Sequence, residues 1–486
     1  FKFPSDPDMQ ISDNNSPLEL TADQLRQDIE MTLEHLGQHI TTLDQQPAWD
    51  LPDKSAGGIP PRERMPEHGL PLEHVLDDLF NHRLNPSYNP SCGGYLAYVP
   101  GGGLPHAAIA DLISGILNKF VTLWQVAPGF ANIEADVVEW FASLVGYPSG
   151  SGGYLTTGGS MANWSAIVTA RRTLLGDNFL GGTIYTTSQA HHSVTKAAVL
   201  AGFPEQNIRQ VDTVNLALSI PHLEELIEED RSKGLRPFLV VANAGTTNTG
   251  TVDPLVAISQ VCKQSEMWLH TDAAYGGFFM LTERGKTILH GLALSDSMTL
   301  DPHKGLFLPY GTGCLLVKDV AHLELAHKVS AKYLPPFQDD DNHVDFCGLS
   351  PELSRDFRGL RIWLPFKLYG APVFGSYLDE KLDLCNLAYQ KISSLESIET
   401  LAAPTLSTFA FRYNPVANNL SDGELNELNQ RFLTELNSSK RFLLSSTYLG
   451  DVFTIRICVL SFRTHATHIN NCIAEVIRVV EQFDNA

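Results

Sequence analysis

No stretch of this 486-residue chain approaches the roughly 20 consecutive apolar residues that a membrane-crossing helix requires. The N-terminal FKFPSDPDMQISDNNSPLEL has neither the basic nor the apolar region of an export signal, so the cytoplasm is the expected location. Positive charge is scarce as well: 34 lysines and arginines face 55 acids, a formal net charge of −21. An acidic excess of that size repels a phosphate backbone or an anionic membrane, and neither is expected as a partner. There is no Cys-x-x-Cys pair; the seven cysteines, at 92, 262, 314, 347, 385, 458 and 472, are scattered and odd in number, which suits a reducing compartment. Internal repeats and long low-complexity tracts are also missing, which leaves a globular chain long enough for more than one domain.

Against these absences the chain shows three zones. TADQLRQDIEMTLEHLGQHITTL places Leu25, Ile29, Leu33, Leu36 and Ile40 on one helical face, with Thr21 and Gln24 as a capping box. The Pro- and Gly-bearing segment from 46 to 71 reads as a linker, and the expected N-terminal zone, 1–105, is a helical arm and linker that serves a dimer or packs within its own chain. From about Gly101 to Val317, short apolar runs alternate with helical stretches. GGTIYTTS, PFLVVANAG, EMWLHTDAAYGG, SDSMTLDPHKG and GCLLVK read as strands, SMANWSAIVTARRTLL and TKAAVLAGF as helices between them. That alternation predicts an α/β domain with a mostly parallel sheet over 106–365. Beyond Phe366, a helix, the strand-like STFAFRYN and FTIRICVLSF, and an amphipathic helix over 467–483 predict a smaller α+β domain, 366–486.

Ligands of such sheets gather beyond the carboxyl ends of the strands, where His191, Thr246, Asp272 and Lys304 are all expected. In YLTTGGSMANWSA, two glycines and a serine open a helix whose free N–H groups suit an anion such as phosphate; a plain strand-to-helix turn has the same appearance. Position 162 is Ala, so G-x-S-x-G is not met, and no ATP-binding loop is present. WLHTDAAYGG ends a strand in Asp272 among small residues, leaving room for a flat ring. Lys304, in LDPHKGLFLPYGTG, follows one strand–helix–strand step later and reaches the same crevice.

TTGGSMAN, QAHHSVTKA, HTDAAYGG and DPHKG, in this order, resemble the group II pyridoxal-phosphate-dependent amino-acid decarboxylases, which act on aromatic amino acids, histidine, glutamate and cysteine sulfinate. The likeness implies a fold-type I transferase-like architecture, pyridoxal 5′-phosphate as cofactor, and a homodimer with active sites at the subunit interface. It further implies decarboxylation of an L-amino acid to an amine and carbon dioxide, with an aromatic substrate favoured; diaminobutyrate or glutamate decarboxylation, amino transfer, aldehyde formation and carbon–carbon lysis are the alternatives. By the same resemblance Lys304 forms the internal aldimine, its pKa lowered by partial burial. Asp272 pairs with the pyridine nitrogen, His191 stacks on the ring, and Thr246 lies near the ring hydroxyl and substrate carboxylate. Gly159, Ser160, Met161 and His303 hold the phosphate. Tyr333, 29 residues after Lys304, matches a catalytic-loop tyrosine and is the expected proton donor, within a lid over 332–357.

One position departs from the pattern. Asp301 stands where many relatives carry Asn and where the likeness implies a phosphate contact. Two anions about 4 Å apart repel by roughly 1 kcal/mol in water and more in a cleft, so Asp301 either turns away or carries a proton. Arg456 is a candidate grip for the substrate carboxylate. His465, His468 and Cys472 lack a fourth ligand, and no metal is expected.

Overall fold

The computed structural model describes residues 18–52, 58–328, 343–415 and 420–485. The chain divides into two compact units, Phe1–Tyr88 and Asn89–Ala486. In the first, helix α1 (Ala22–Thr42) starts at the expected capping box: the Thr21 hydroxyl accepts from the Gln24 N–H, and the Gln24 side chain accepts from the Thr21 N–H. Its apolar stripe stays open, with Leu33, Leu36 and Ile40 exposed.

The second unit is built on a seven-stranded sheet. In chain order its strands are β1 (Gly152–Thr156), β2 (Gly182–Thr187), β3 (Ile208–Val211), β4 (Arg236–Asn243), β5 (Trp268–Asp272), β6 (Ser297–Leu300) and β7 (Gly313–Val317). They lie in the order β1-β7-β6-β5-β4-β2-β3. β2 to β6 pair in parallel, while β7 runs antiparallel to both β1 and β6. Strands such as FLVVAN in β4 are buried along their whole length because helices cover both faces of a parallel sheet. Helices α2 (Pro105–Leu117), α3 (Pro128–Val145), α4 (Gly159–Leu174) and α5 (Ser193–Leu200) precede β4. The one-turn helix α6 (Pro302–Gly305) follows β6 and carries Lys304.

The C-terminal part repeats the alternation expectation differently. β8 (Ile398–Ala402), β9 (Thr408–Tyr413), β10 (Ser445–Leu449) and β11 (Val452–Cys458) form an all-antiparallel sheet in the order β8-β9-β11-β10. Helices α7 (Ala371–Ser393) and α8 (Ala466–Asp484) cover it, and Phe409, Phe411, Phe432, Ile455 and Val476 form the centre of its own apolar cluster. The architecture is therefore the expected α/β one, with a mostly parallel large sheet and a small C-terminal sheet.

In the large sheet, register aligns what matters for chemistry. Asn243 lies opposite Asp272, and Asp272 opposite Thr299, so three adjacent strands end level with one another.

Candidate active site

A cleft of about 400 Å³ opens at the carboxyl ends of these strands. It brings together Gly159, Ser160 and Met161 from the start of α4, His191 before α5, Thr246 after β4, Asp272, and Asp301, His303 and Lys304 around α6. Every one of these residues was expected there from sequence; Tyr333 and the segment 332–342 lie outside the described residues.

Asp272 ends β5 and is held on both oxygens. Oδ1 accepts from the Ala274 N–H at 3.1 Å and Oδ2 from Asn163 Nδ2 at 2.9 Å. Asn163 is a crosslink: its Oδ1 accepts from Thr299 Oγ1 at 2.7 Å and faces His270 Nε2 at 3.0 Å, while its Nδ2 also reaches Ser193 Oγ at 3.1 Å. Ser193 Oγ in turn lies 2.8 Å from His191 Nδ1. Behind them, Trp268 Nε1 donates to Ser297 Oγ at 2.8 Å, and Ser297 Oγ lies 2.8 Å from His270 Nδ1. Since indole only donates, the serine hydrogen is free for His270 Nδ1, and the proton of a neutral ring sits on Nε2, pointing at Asn163. Burial pushes the His270 pKa down to about 4, against the pull of the Asp272 carboxylate, so the ring is neutral at physiological pH. Burial also lowers the His191 pKa, with Asp272 opposing and Lys304 reinforcing the shift.

The sequence reasoning had missed Asn163, Ser193, His270, Ser297 and Thr299. Asn163 lay inside the quoted TTGGSMAN, and His270, two residues before Asp272, necessarily shares its face of the strand. Those two regularities were the available signal.

Lys304 corrects an expectation. Burial does oppose its ammonium, but the Asp301 and Asp272 charges and the Asp301 hydrogen bond together outweigh it, and the pKa lies above the ordinary lysine value, not below. Asp301 faces the lysine, with Oδ2 3.0 Å from Nζ. His303 Nδ1 donates to the Thr312 carbonyl at 2.6 Å, which turns Nε2 toward the cleft, 3.6 Å from Asp301 Oδ2.

The turn after β4 places Thr246. Gly245 adopts φ +101°, and a Cβ there would lie 2.9 Å from the Tyr275 ring, so only glycine fits. Arg456, the candidate carboxylate grip, is instead committed to this turn. It donates to the carbonyls of Thr247 and Asn248, the latter at 2.8 Å, and to Ser445 Oγ at 3.0 Å. His465, considered and set aside as a metal ligand, pairs with Glu380 at 2.9 Å.

A flat, phosphorylated aldehyde fits these residues. A Cβ on Gly158 would come within 3.4 Å of the His303 ring, and one on Gly159 within 2.9 Å of Asp301, so the glycines keep open a gap at a helix start where N–H groups point outward. Lys304, Asp272, Asp301, His191 and His303 surround the remaining space.

Comparison with known proteins bears on the same residues. The pyridoxal-dependent decarboxylase conserved domain matches residues 62–414. An aromatic-L-amino-acid decarboxylase from Bacillus atrophaeus is 32% identical over 451 residues, 92% of this chain and 93% of that one. An L-2,4-diaminobutyrate decarboxylase from Acinetobacter baumannii is 26% identical over 442 residues, 86% of each. Among solved structures, Catharanthus roseus tryptophan decarboxylase in complex with L-tryptophan superposes with a TM-score of 0.88 at 24% identity, covering 95% of this chain and 99% of that one, a likeness of fold.

Proposed function

The chain belongs to the pyridoxal-dependent decarboxylase family and is a pyridoxal-phosphate-dependent carboxy-lyase of amino acids; from that premise we propose an aromatic L-amino acid as substrate. One observation carries the preference. Among the described residues the charged side chains lining the cleft are Asp272, Asp301 and Lys304, with no arginine. The acids are engaged by Asn163 and Lys304, and Lys304 by Asp301. An acidic substrate side chain therefore finds no spare cation, and a basic one no spare carboxylate, whereas a neutral aromatic ring requires neither. The 32% identical relative is named for aromatic amino acids, which agrees.

Pyridoxal phosphate supplies, when bound, an aldehyde that condenses with amines and a ring that accepts the electron pair released as the Cα–carboxylate bond breaks. In our reading the chain's residues do the rest. Lys304 provides the anchoring amine. The first turn of α4, with Gly159, Ser160 and Met161, and His303 hold the phosphate. Asp272, hydrogen-bonded on both oxygens, would face the ring nitrogen and hold a proton there. His191, oriented by Ser193, would stack on the ring, and Thr246 would lie near the ring hydroxyl and the substrate carboxylate. Arg456 is tied to the turn after β4 and no arginine lines the cleft among the described residues, so the substrate carboxylate would go without a guanidinium clamp there, which favours its loss. Tyr333 returns a proton to Cα.

The active form in this reading is a homodimer. Ile109, Leu112, Ile113, Ile116 and Leu117 on α2 are exposed together, an apolar face that a second copy would cover. No helix among the described residues is long and apolar enough to cross a membrane, and all seven cysteines are free and buried, in keeping with a reducing cytoplasm. Carbon dioxide release by the purified protein, assayed over a panel of L-amino acids, tests the proposal. We expect kcat/KM for tyrosine, tryptophan or phenylalanine to exceed that for glutamate and diaminobutyrate by at least ~10-fold, about 1.4 kcal/mol of discrimination. The reverse order rejects it.

A further inference from the structure

Asp301 immediately precedes α6 and Lys304 lies three residues further on, close enough for the two side chains to pair. Asp301 is 2% exposed, and its Oδ2 lies 3.0 Å from Lys304 Nζ and 3.6 Å from His303 Nε2. The same oxygen lies 2.9 Å from where a Gly159 Cβ would stand, so it fills the gap between the lysine and the start of α4. Its partner Oδ1 is buried with no hydrogen bond among the described residues. Asp272 is the other acid acting on Lys304, but both its oxygens already accept, from Ala274 and Asn163.

A lysine held as an ammonium has no lone pair with which to attack an aldehyde. Whatever stabilises the charge must also remove the proton, and one carboxylate oxygen is within reach of Nζ. We infer that Asp301 is the proton carrier for Lys304, moving protons from Nζ to the departing oxygen when the lysine condenses with the cofactor aldehyde. This rests on the reading of Lys304 as the cofactor's anchor. The step balances without any further reagent. Asp301 takes a first proton from the ammonium; the freed nitrogen pair forms the N–C bond while the C=O π pair moves to oxygen, which takes that proton. Asp301 then takes a second proton from nitrogen and delivers it to the same oxygen, the C–O bond breaks, and water leaves. Net, an ammonium and an aldehyde become a protonated carbon–nitrogen double bond and one water, with the carboxylate regenerated. The position of Lys304 pKa above the usual range, caused by these two acids against burial, agrees with a lysine that needs such a partner. The other titratable groups acting on the carboxylate or on Nζ are His303 in α6, His191 before α5, Tyr310 after α6, Cys314 in β7 and Cys458 at the end of β11.

The test is the rate at which cofactor-free full-length protein forms its imine absorbance on mixing with pyridoxal phosphate. Asp301→Asn keeps the shape and cannot accept a proton; its loading rate constant should fall on the order of 10²-fold, in the range general acid–base groups contribute. Asp301→Ala should load as slowly and recover as formate is added, a rescue that a merely structural role would not produce. Circular dichroism checks that both fold, and Asp301→Glu, which keeps the acid, should retain more rate than either. Cofactor fluorescence titrations in a Lys304→Ala background separate loss of affinity from loss of rate. Wild-type loading rates in Asp301→Asn, or an Asp301→Ala protein that formate leaves slow, overturn the inference. A wild-type protein that forms no imine band overturns the reading of Lys304 instead.

Discussion

Asp272 is held in place by neighbours rather than by solvent. It is 8% exposed, and its two oxygens are satisfied by a backbone N–H and by Asn163, whose own carbonyl is saturated by Thr299 and His270. Asn163 fixes the Oδ2 edge of that carboxylate, so Asn163→Ala should free it to turn away from the position in which it would meet the ring nitrogen. We expect kcat to fall about 10- to 100-fold, the range seen when residues that orient a catalytic group are removed, with KM much less affected. A changed KM at constant kcat would contradict it. His270 and His327 make a second prediction at this scale. Burial lowers both pKa values from 6.5 to about 4. Between those values the unfolded chain binds protons that the folded chain refuses, so stability is complete above about pH 6.5 and drains away as pH falls toward 4. Each histidine accounts for up to ~3 kcal/mol of that loss, at about 1.4 kcal/mol per pH unit. Urea unfolding at pH 7 and pH 5 measures it, and His327→Gln should flatten the profile.

Among the elements, two connections are held by buried arginines. Arg456 fixes the turn that carries Thr246 by donating to the carbonyls of Thr247 and Asn248. Arg456→Met should leave those carbonyls without donors at a cost of about 1–3 kcal/mol each, and loosen the turn enough to weaken cofactor binding. Unfolding midpoints and cofactor titration read the two effects separately. Arg355, on the segment following 329–342, pairs with Glu134 of α3 at 2.7 Å, both side chains fully buried, and also donates to the Leu155 carbonyl at 2.6 Å. Glu134→Ala strands that guanidinium and should cost about 3–5 kcal/mol, checked by chemical denaturation. Strand identity was largely legible: GGTIYTTS, PFLVVANAG, EMWLHTDAAYGG, SDSMTLDPHKG and GCLLVK each contain the strand expected. The antiparallel course of β7 was not, because a run of four apolar residues between glycine and lysine carries no mark of direction.

For the whole molecule, the exposed α2 face makes the assembly testable. Replacing Ile113 and Ile116 together by Asp should turn a dimer into monomers in sedimentation, with loss of activity if the interface completes the site. An unchanged sedimentation coefficient rejects that surface.

What the order of residues alone determined is the chemistry on offer: an amine after a Pro-His pair, an acid ending a strand among alanines, glycines opening a helix, and an alternation that puts all of them at one edge of a sheet. These are local facts, carried by period, turn chemistry and residue type. Tertiary structure alone decided the protons. Whether Lys304 is charged, which way Asp301 faces, which tautomer His270 adopts and what Asn163 holds depend on distances between residues up to 136 positions apart, as for Asn163 and Thr299. Electrostatic energy falls with separation in space and with exposure to water, and neither is written along a chain.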